Sequence, residues 1–265
     1  MLPFWLSIGA LSLVQAALVA APRAAGLRLP PVVRTRWWAL LPPLSIVIVV
    51  SAIALDSASA RVLTYVALIG VPPLAALALA AIVRGSRPVL ALLVPPLFAL
   101  AWAAQGALSG EAAALTLSAL ACVSLGWALA GLVPGQWLKW GIYAMAAIDA
   151  WLVGANLLQG PNAILNAASP LADLPRLQLA AFGSAVMGFG DLFVAATLGA
   201  LIAADRRLQL TAAGLTAVFC VSFDFLFFTL DQLPATVPVA LVLAVLEVGR
   251  REQLRAALRP APRRS

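Results

Sequence analysis

The sequence predicts an all-α polytopic membrane protein of about nine transmembrane helices. Three observations carry the prediction. Hydrophobic residues make up 63% of the 265-residue chain and charged residues only 10%. A soluble domain carries roughly 25% charged residues, so this chain has too little polar material to face water. Uncharged runs of about 20 residues, enough to cross a bilayer core, follow one another along the chain. The basic residues between them fall in alternate loops. The same composition sets aside a soluble enzyme, a disordered chain and a nucleic-acid binder. The net charge of +7 belongs with lipid as the solvent and the bilayer as a partner.

The runs justify the helices in order. Met1–Pro22 is the first. No positive charge precedes its apolar stretch, so it reads as an uncleaved span and not a signal peptide. Trp37–Leu55, Val62–Val83, Pro88–Gly110 and Ala112–Leu138 are the second to fifth. Pro42-Pro43-Leu44, Pro72-Pro73-Leu74 and Pro95-Pro96-Leu97 repeat a Pro-Pro-Leu inside three of these runs. Such pairs kink helices and free carbonyls that neighbours must satisfy. Trp140–Ala172 carries one charge, Asp149, and its first twenty residues suit a sixth span. Leu177–Ala204 carries only Asp191, and Leu208–Leu230 only Asp224. The ninth run, Gln232–Leu246, is short, and Pro234 and Pro238 resist regular helix near its start. An irregular segment dipping into the membrane before the helix begins is the simplest account, and such backbone must line a cavity or be buried in protein.

Loop charge supports the count. Arg23, Arg28, Arg34 and Arg36 follow the first run, Arg84 and Arg87 the third, Lys139 the fifth, and Arg206 and Arg207 the seventh. Arg250, Arg251, Arg255, Arg259, Arg263 and Arg264 follow the ninth, leaving only Arg61 and Arg176 in the alternate loops. The positive-inside bias puts the N-terminus outside and the C-terminus in the cytoplasm of a bacterial-type plasma membrane. The chain divides into a five-helix scaffold (1–139), a four-helix part (140–249) expected to be catalytic from the acids and motif described next, and a basic cytoplasmic tail (250–265).

The absence of histidine removes Ser-His and Cys-His catalysis and His-Glu-x-x-His zinc chemistry. Cys122 and Cys220, in separate apolar runs, read as small buried hydrophobes. No metal or organic cofactor is expected. The acids are more informative. Asp56, Glu111, Asp173 and Asp231 mark outer loops, and Asp205, Glu247 and Glu252 the cytoplasmic face. Asp149, Asp191 and Asp224 remain inside apolar runs that hold no Lys or Arg. An aspartate at the bilayer centre costs about 2.5–3.5 kcal/mol on insertion scales. Asp149 is ten residues past Lys139 and Asp191 fourteen before Asp205, roughly 15 and 21 Å from one face. Their runs are consecutive, so the two helices are expected to be neighbours, with the aspartates facing each other. Two carboxylates at one site cannot both ionise cheaply and share a proton. One then activates water while the other hydrogen-bonds a peptide carbonyl. Asp224, seven residues before Asp231, lies nearer the outer end and suits a hydrogen bond to a neighbouring helix.

Asp191 stands in Gly188-Phe189-Gly190-Asp191, where glycines let a helix or an extended substrate come close. On these residues the sequence resembles the presenilin and signal peptide peptidase family of intramembrane aspartyl proteases, from Trp140 onward and in helix count. That family carries Tyr-Asp, Gly-x-Gly-Asp and Pro-Ala-Leu motifs. Here Ile148-Asp149 lacks the Tyr and Leu233-Pro234-Ala235-Thr236 has Thr in place of Leu, with Pro238-Val239-Ala240-Leu241 just behind. The resemblance implies a presenilin-like bundle and an aspartic-type endopeptidase cleaving transmembrane peptide substrates. Asp149 and Asp191 would be catalytic, with Gly188, Phe189, Gly190, Leu233, Pro234, Ala235 and Thr236 at the substrate. The outward N-terminus is similar to the signal peptide peptidase branch. Prepilin peptidases share Gly-x-Gly-Asp, but they usually place Lys where this chain has Phe193 and follow their first Asp with a polar stretch, whereas Ala150–Leu158 is apolar. A proton-coupled carrier or channel using the aspartates is the alternative from another class.

Overall fold

A computed structural model describes residues 2–27, 30, 32–56, 58–171 and 174–257, with side chains described as far as 249. Arg28, Asp173, the end of the tail and the tail's side chains lie outside the described residues. The chain is mostly helical, with ten α-helices among the described residues. They are α1 (Phe4–Ala20), α2 (Leu41–Leu55), α3 (Ala58–Leu77), α4 (Val94–Ala103), α5 (Leu108–Leu132), α6 (Gly135–Gly154), α7 (Gln159–Ala167), α8 (Phe189–Ile202), α9 (Arg206–Asp224) and α10 (Thr236–Ala257). One hairpin, β1 (Leu179–Phe182) and β2 (Ala185–Gly188), precedes α8.

The expected nine spans are met only in part. Among the described residues four helical stretches are long and apolar enough to cross a membrane: Arg36–Leu55, Ala58–Ile82, Leu108–Leu132 and Arg206–Phe228. The bent pair α6 and α7, at 96° to each other, makes a fifth if counted as one span. Phe4–Ala20, Pro88–Ala103, Phe189–Ile202 and Thr236–Gly249 are apolar but shorter. Lack of charge marks a run as apolar without saying that all of it is helix. The run Leu177–Ala204 spends its first half as the hairpin, which turns at Gly183 with φ +63°, a conformation glycine adopts without a Cβ penalty.

The proline pairs also differ from the expected kinks. Pro42-Pro43 and Pro95-Pro96 stand in the first turn of α2 and α4, each entered through a 3-10 turn. There a missing N–H breaks no helical bond. Only Pro72-Pro73 is interior to its helix, and next to it Ser124 of α5 donates to the Leu74 carbonyl at 2.7 Å.

At the middle stands α8. It is buried on every side, from Leu192 through Val194 to Ala200, as expected for a helix apolar all round. It packs chiefly against α5 and α1, and less extensively against α10, α9 and α6. Small residues allow this crowding: a Cβ added at Gly199 would meet the Val19 carbonyl oxygen of α1 at 2.5 Å. The α1 helix runs antiparallel to α9, with Phe4 edge-on to Phe227 at one end and Arg206 donating to the Ala20 carbonyl at the other. Similarly, α6 is antiparallel to α10, with Lys139 paired to Glu247 at 2.9 Å.

The loops between these helices gather at two ends. At one, Arg23 N–H donates to Ile82 O, Thr35 N–H to Leu132 O, and Arg84 to Ala203 O. At the other, Gly183 N–H donates to Glu111 at 2.7 Å and Ser184 N–H to Ser7 Oγ at 3.1 Å. The described basic loops therefore share the first end.

Candidate functional site

Asp149 lies three quarters of the way along α6 and is 5% exposed. Its Oδ2 accepts the Thr236 hydroxyl at 2.6 Å and the Thr236 N–H at 3.4 Å. Thr236 is the first residue of α10, so its N–H is one of the four that a helix start leaves without an internal partner. Pro234 ahead of it keeps the chain irregular until this point.

Asp191 lies in the first turn of α8. Its Oδ2 accepts the Gly188 N–H at 3.1 Å, closing the turn from strand β2 into the helix. A Cβ at Gly188 would stand 3.1 Å from that oxygen, and one at Gly190 3.1 Å from Met145 Cε of α6. The glycines thus let the carboxylate fold back and the two aspartate-bearing helices touch. Contact between α6 and α8 is slight: α6 packs chiefly on α10 and α2, which leaves space beside the two acids.

That space belongs to a cavity of about 1100 Å³ lined by Asp149, Asp191, Gly188, Phe189 and Gly190. The volume exceeds the roughly 300–1,000 Å³ of small-molecule pockets. Both carboxyls face this cavity, and each has one oxygen, Oδ1, without a hydrogen-bond partner among the described residues. Such a pair can act as base and acid on a group bound between them. Among the described residues no group of three or more Cys, Asp or Glu side chains is gathered to hold a metal ion.

The chain matches no protein-family model, no curated protein and no solved structure. The site is therefore judged on its own geometry.

Leu233 and Ala235 line the cavity. Thr236 does not fit the expected substrate contact: it is fully buried and its hydroxyl is committed to Asp149. Pro234 is not among the lining residues either; its carbonyl accepts the Val237 N–H at 3.1 Å, opening α10. Asp224 accepts the Ser12 hydroxyl at 2.7 Å and faces the same cavity.

Two residues went unnoticed in the sequence. Ser12 and Gln15 of α1, assigned with the scaffold, are both 1% exposed, and both line the cavity. Gln15 Nε2 donates to Asp191 O at 3.4 Å and to Ala235 O at 3.2 Å, while its Oε1 accepts the Cys220 thiol at 3.2 Å. The signal was present: Ser12 and Gln15, three apart, share a helix face in an apolar run whose one other polar side chain is Ser7, and a polar group there calls for a partner.

Proposed function

We propose that this chain is an intramembrane aspartic endopeptidase, similar to the presenilin and signal peptide peptidase family, that hydrolyses peptide bonds in or beside transmembrane segments. The observation that carries the reading is the pair Asp149 and Asp191, each with a free carboxyl oxygen, opening onto one large cavity. One carboxylate takes a proton from water as the water oxygen bonds to the scissile carbonyl carbon. The other, protonated, hydrogen-bonds the carbonyl oxygen, and a proton passes to the leaving nitrogen as the C–N bond breaks. Sharing one proton between two close acids is the working state of such a pair.

A helical substrate hides its peptide bonds, so it must be held extended at the site. The edge of β2 offers the means. The residues closing a two-residue turn, Phe182 and Ala185, exchange hydrogen bonds, and alternation then turns the N–H and C=O of Val186 away from β1. Val186 lines the cavity, three residues before Phe189. A substrate strand added at this edge would run toward Asp191. In this reading the shorter apolar helices, together with the hairpin and the segment before Thr236, complete nine crossings. The basic end faces the cytoplasm, and the N-terminus faces outward from a bacterial-type plasma membrane.

The test is proteolysis of a membrane-spanning reporter by the full chain reconstituted in liposomes. Wild type cleaves, and Asp149→Asn and Asp191→Asn each abolish cleavage. Cleavage that persists in either variant overturns the proposal. Proton-dependent flux without cleavage, lost in either variant, would assign the aspartates to a carrier.

A further inference from the structure

We infer that Gln15 is a positioning residue that sets the spacing of the Asp149 and Asp191 carboxylates from a helix bearing neither. The inference rests on the endopeptidase reading for its consequence, and on the hydrogen bonds alone for its geometry.

The chain of contacts is short. Gln15 Nε2 has two hydrogens, and two carbonyls receive them: Asp191 O at 3.4 Å and Ala235 O at 3.2 Å. Ala235 directly precedes Thr236, whose hydroxyl holds Asp149 Oδ2 at 2.6 Å. One amide group therefore joins the backbone of one aspartate to the backbone that grips the other. The amide cannot be reversed, because both carbonyls only accept, and Oε1 is occupied by the Cys220 thiol at 3.2 Å. Cys220 belongs to α9, so the strut is braced from a third element. Direct contact between α6 and α8 is too slight to fix the spacing.

A leucine at this position would suit the apolar helix better. An amide 1% exposed within an apolar bundle is tolerated only when its donors and acceptor are matched, and here the matches are the two supports of the carboxylate pair. Misplacement of reacting groups by about 1 Å can cost on the order of 10²-fold in rate.

The experiment has two arms on the full chain in liposomes. In the first, cleavage of the membrane-spanning reporter is measured for Gln15→Leu, which has no donors, and Gln15→Asn, too short to reach both carbonyls. The expected result is a fall in kcat of about 10- to 100-fold, with KM within about threefold and an unfolding midpoint near wild type. Cys220→Ser, which keeps a donor to Oε1, retains more activity than Cys220→Ala. The second arm needs no activity. In a Cys122→Ala, Cys220→Ser background, Asp149→Cys and Asp191→Cys are joined by a short bifunctional thiol reagent, and adding Gln15→Leu lowers the cross-link yield several-fold. An unchanged yield overturns the inference, whatever the rate does. A reduced yield in a chain that never cleaves the reporter sustains the spacing role of Gln15 and removes the endopeptidase reading instead.

Discussion

Thr236 occupies the place where the resembled motif has leucine, and the side chain that replaces it is bonded to Asp149 at 2.6 Å. The neighbour of Asp149 is Ile148, so no adjacent hydroxyl is available to orient the acid, and Thr236 supplies one from α10. A hydrogen bond to a charged group contributes about 1.5–3 kcal/mol, or roughly one to two powers of ten in rate if it is needed in the transition state. Thr236→Val keeps the branched shape and the backbone N–H but removes the hydroxyl. It is expected to lower kcat by at least about tenfold, with Thr236→Ser close to wild type. Equal rates for Val and Ser, measured on the reporter, would remove the hydroxyl from the mechanism. Asp149 and Asp191 could be found from sequence because an acid in an apolar run is conspicuous and its depth can be counted. The partners of those acids could not. Thr236 and Gln15 reach the site across 87 and 176 residues of chain, a pairing that only the tertiary packing fixes.

Among the elements, the hairpin changes the reading most. A stretch from Leu177 to Ala204 with Asp191 as its single charge looks like a span, yet Gly183-Ser184 between two short apolar segments is the kind of two-residue turn that makes a hairpin. Hydropathy cannot separate a buried strand from a buried helix over so few residues. The turn is anchored from outside, by Glu111 on the Gly183 N–H and by Ser7 on the Ser184 N–H, and neither partner is near in sequence. The consequence is a strand edge beside the acids at which the Val186 backbone has no partner among the described residues. Val186→Pro tests it, because proline removes only the outward N–H and is tolerated at an edge position. The variant is expected to fold, to keep its circular dichroism and unfolding midpoint, and to cleave the reporter at least about tenfold more slowly. Unimpaired cleavage would mean that substrate does not pair with β2.

At the scale of the whole molecule, α4 is the sharpest test of which apolar helices cross the bilayer. The stretch Pro88–Ala103 is roughly 27 Å long, at about 2.0 Å per residue over the 3-10 turn Pro88–Leu93 and 1.5 Å over α4, about 3 Å short of a typical hydrocarbon core. Local thinning of the bilayer can absorb such a mismatch at fractions of a kcal/mol per ångström. Half-exposed Trp102 near the end of the helix suits the headgroup level. Arg84 and Arg87 precede the helix, and Arg84 reaches Ala203 O and Gln209 at the basic end. After the helix, Glu111 in the first turn of α5 holds the hairpin turn at the opposite end. If α4 crosses with the basic end inward, its two flanks must differ in accessibility. Arg87→Cys and Ser109→Cys, both at exposed positions, can be introduced singly into a Cys122→Ala, Cys220→Ser background and treated with a membrane-impermeant maleimide in intact cells. Ser109→Cys is expected to label from outside, and Arg87→Cys only after permeabilisation. The reverse pattern would invert the orientation. Labelling of both from outside would show that α4 does not cross, and the alternation of basic loops would then lose its basis.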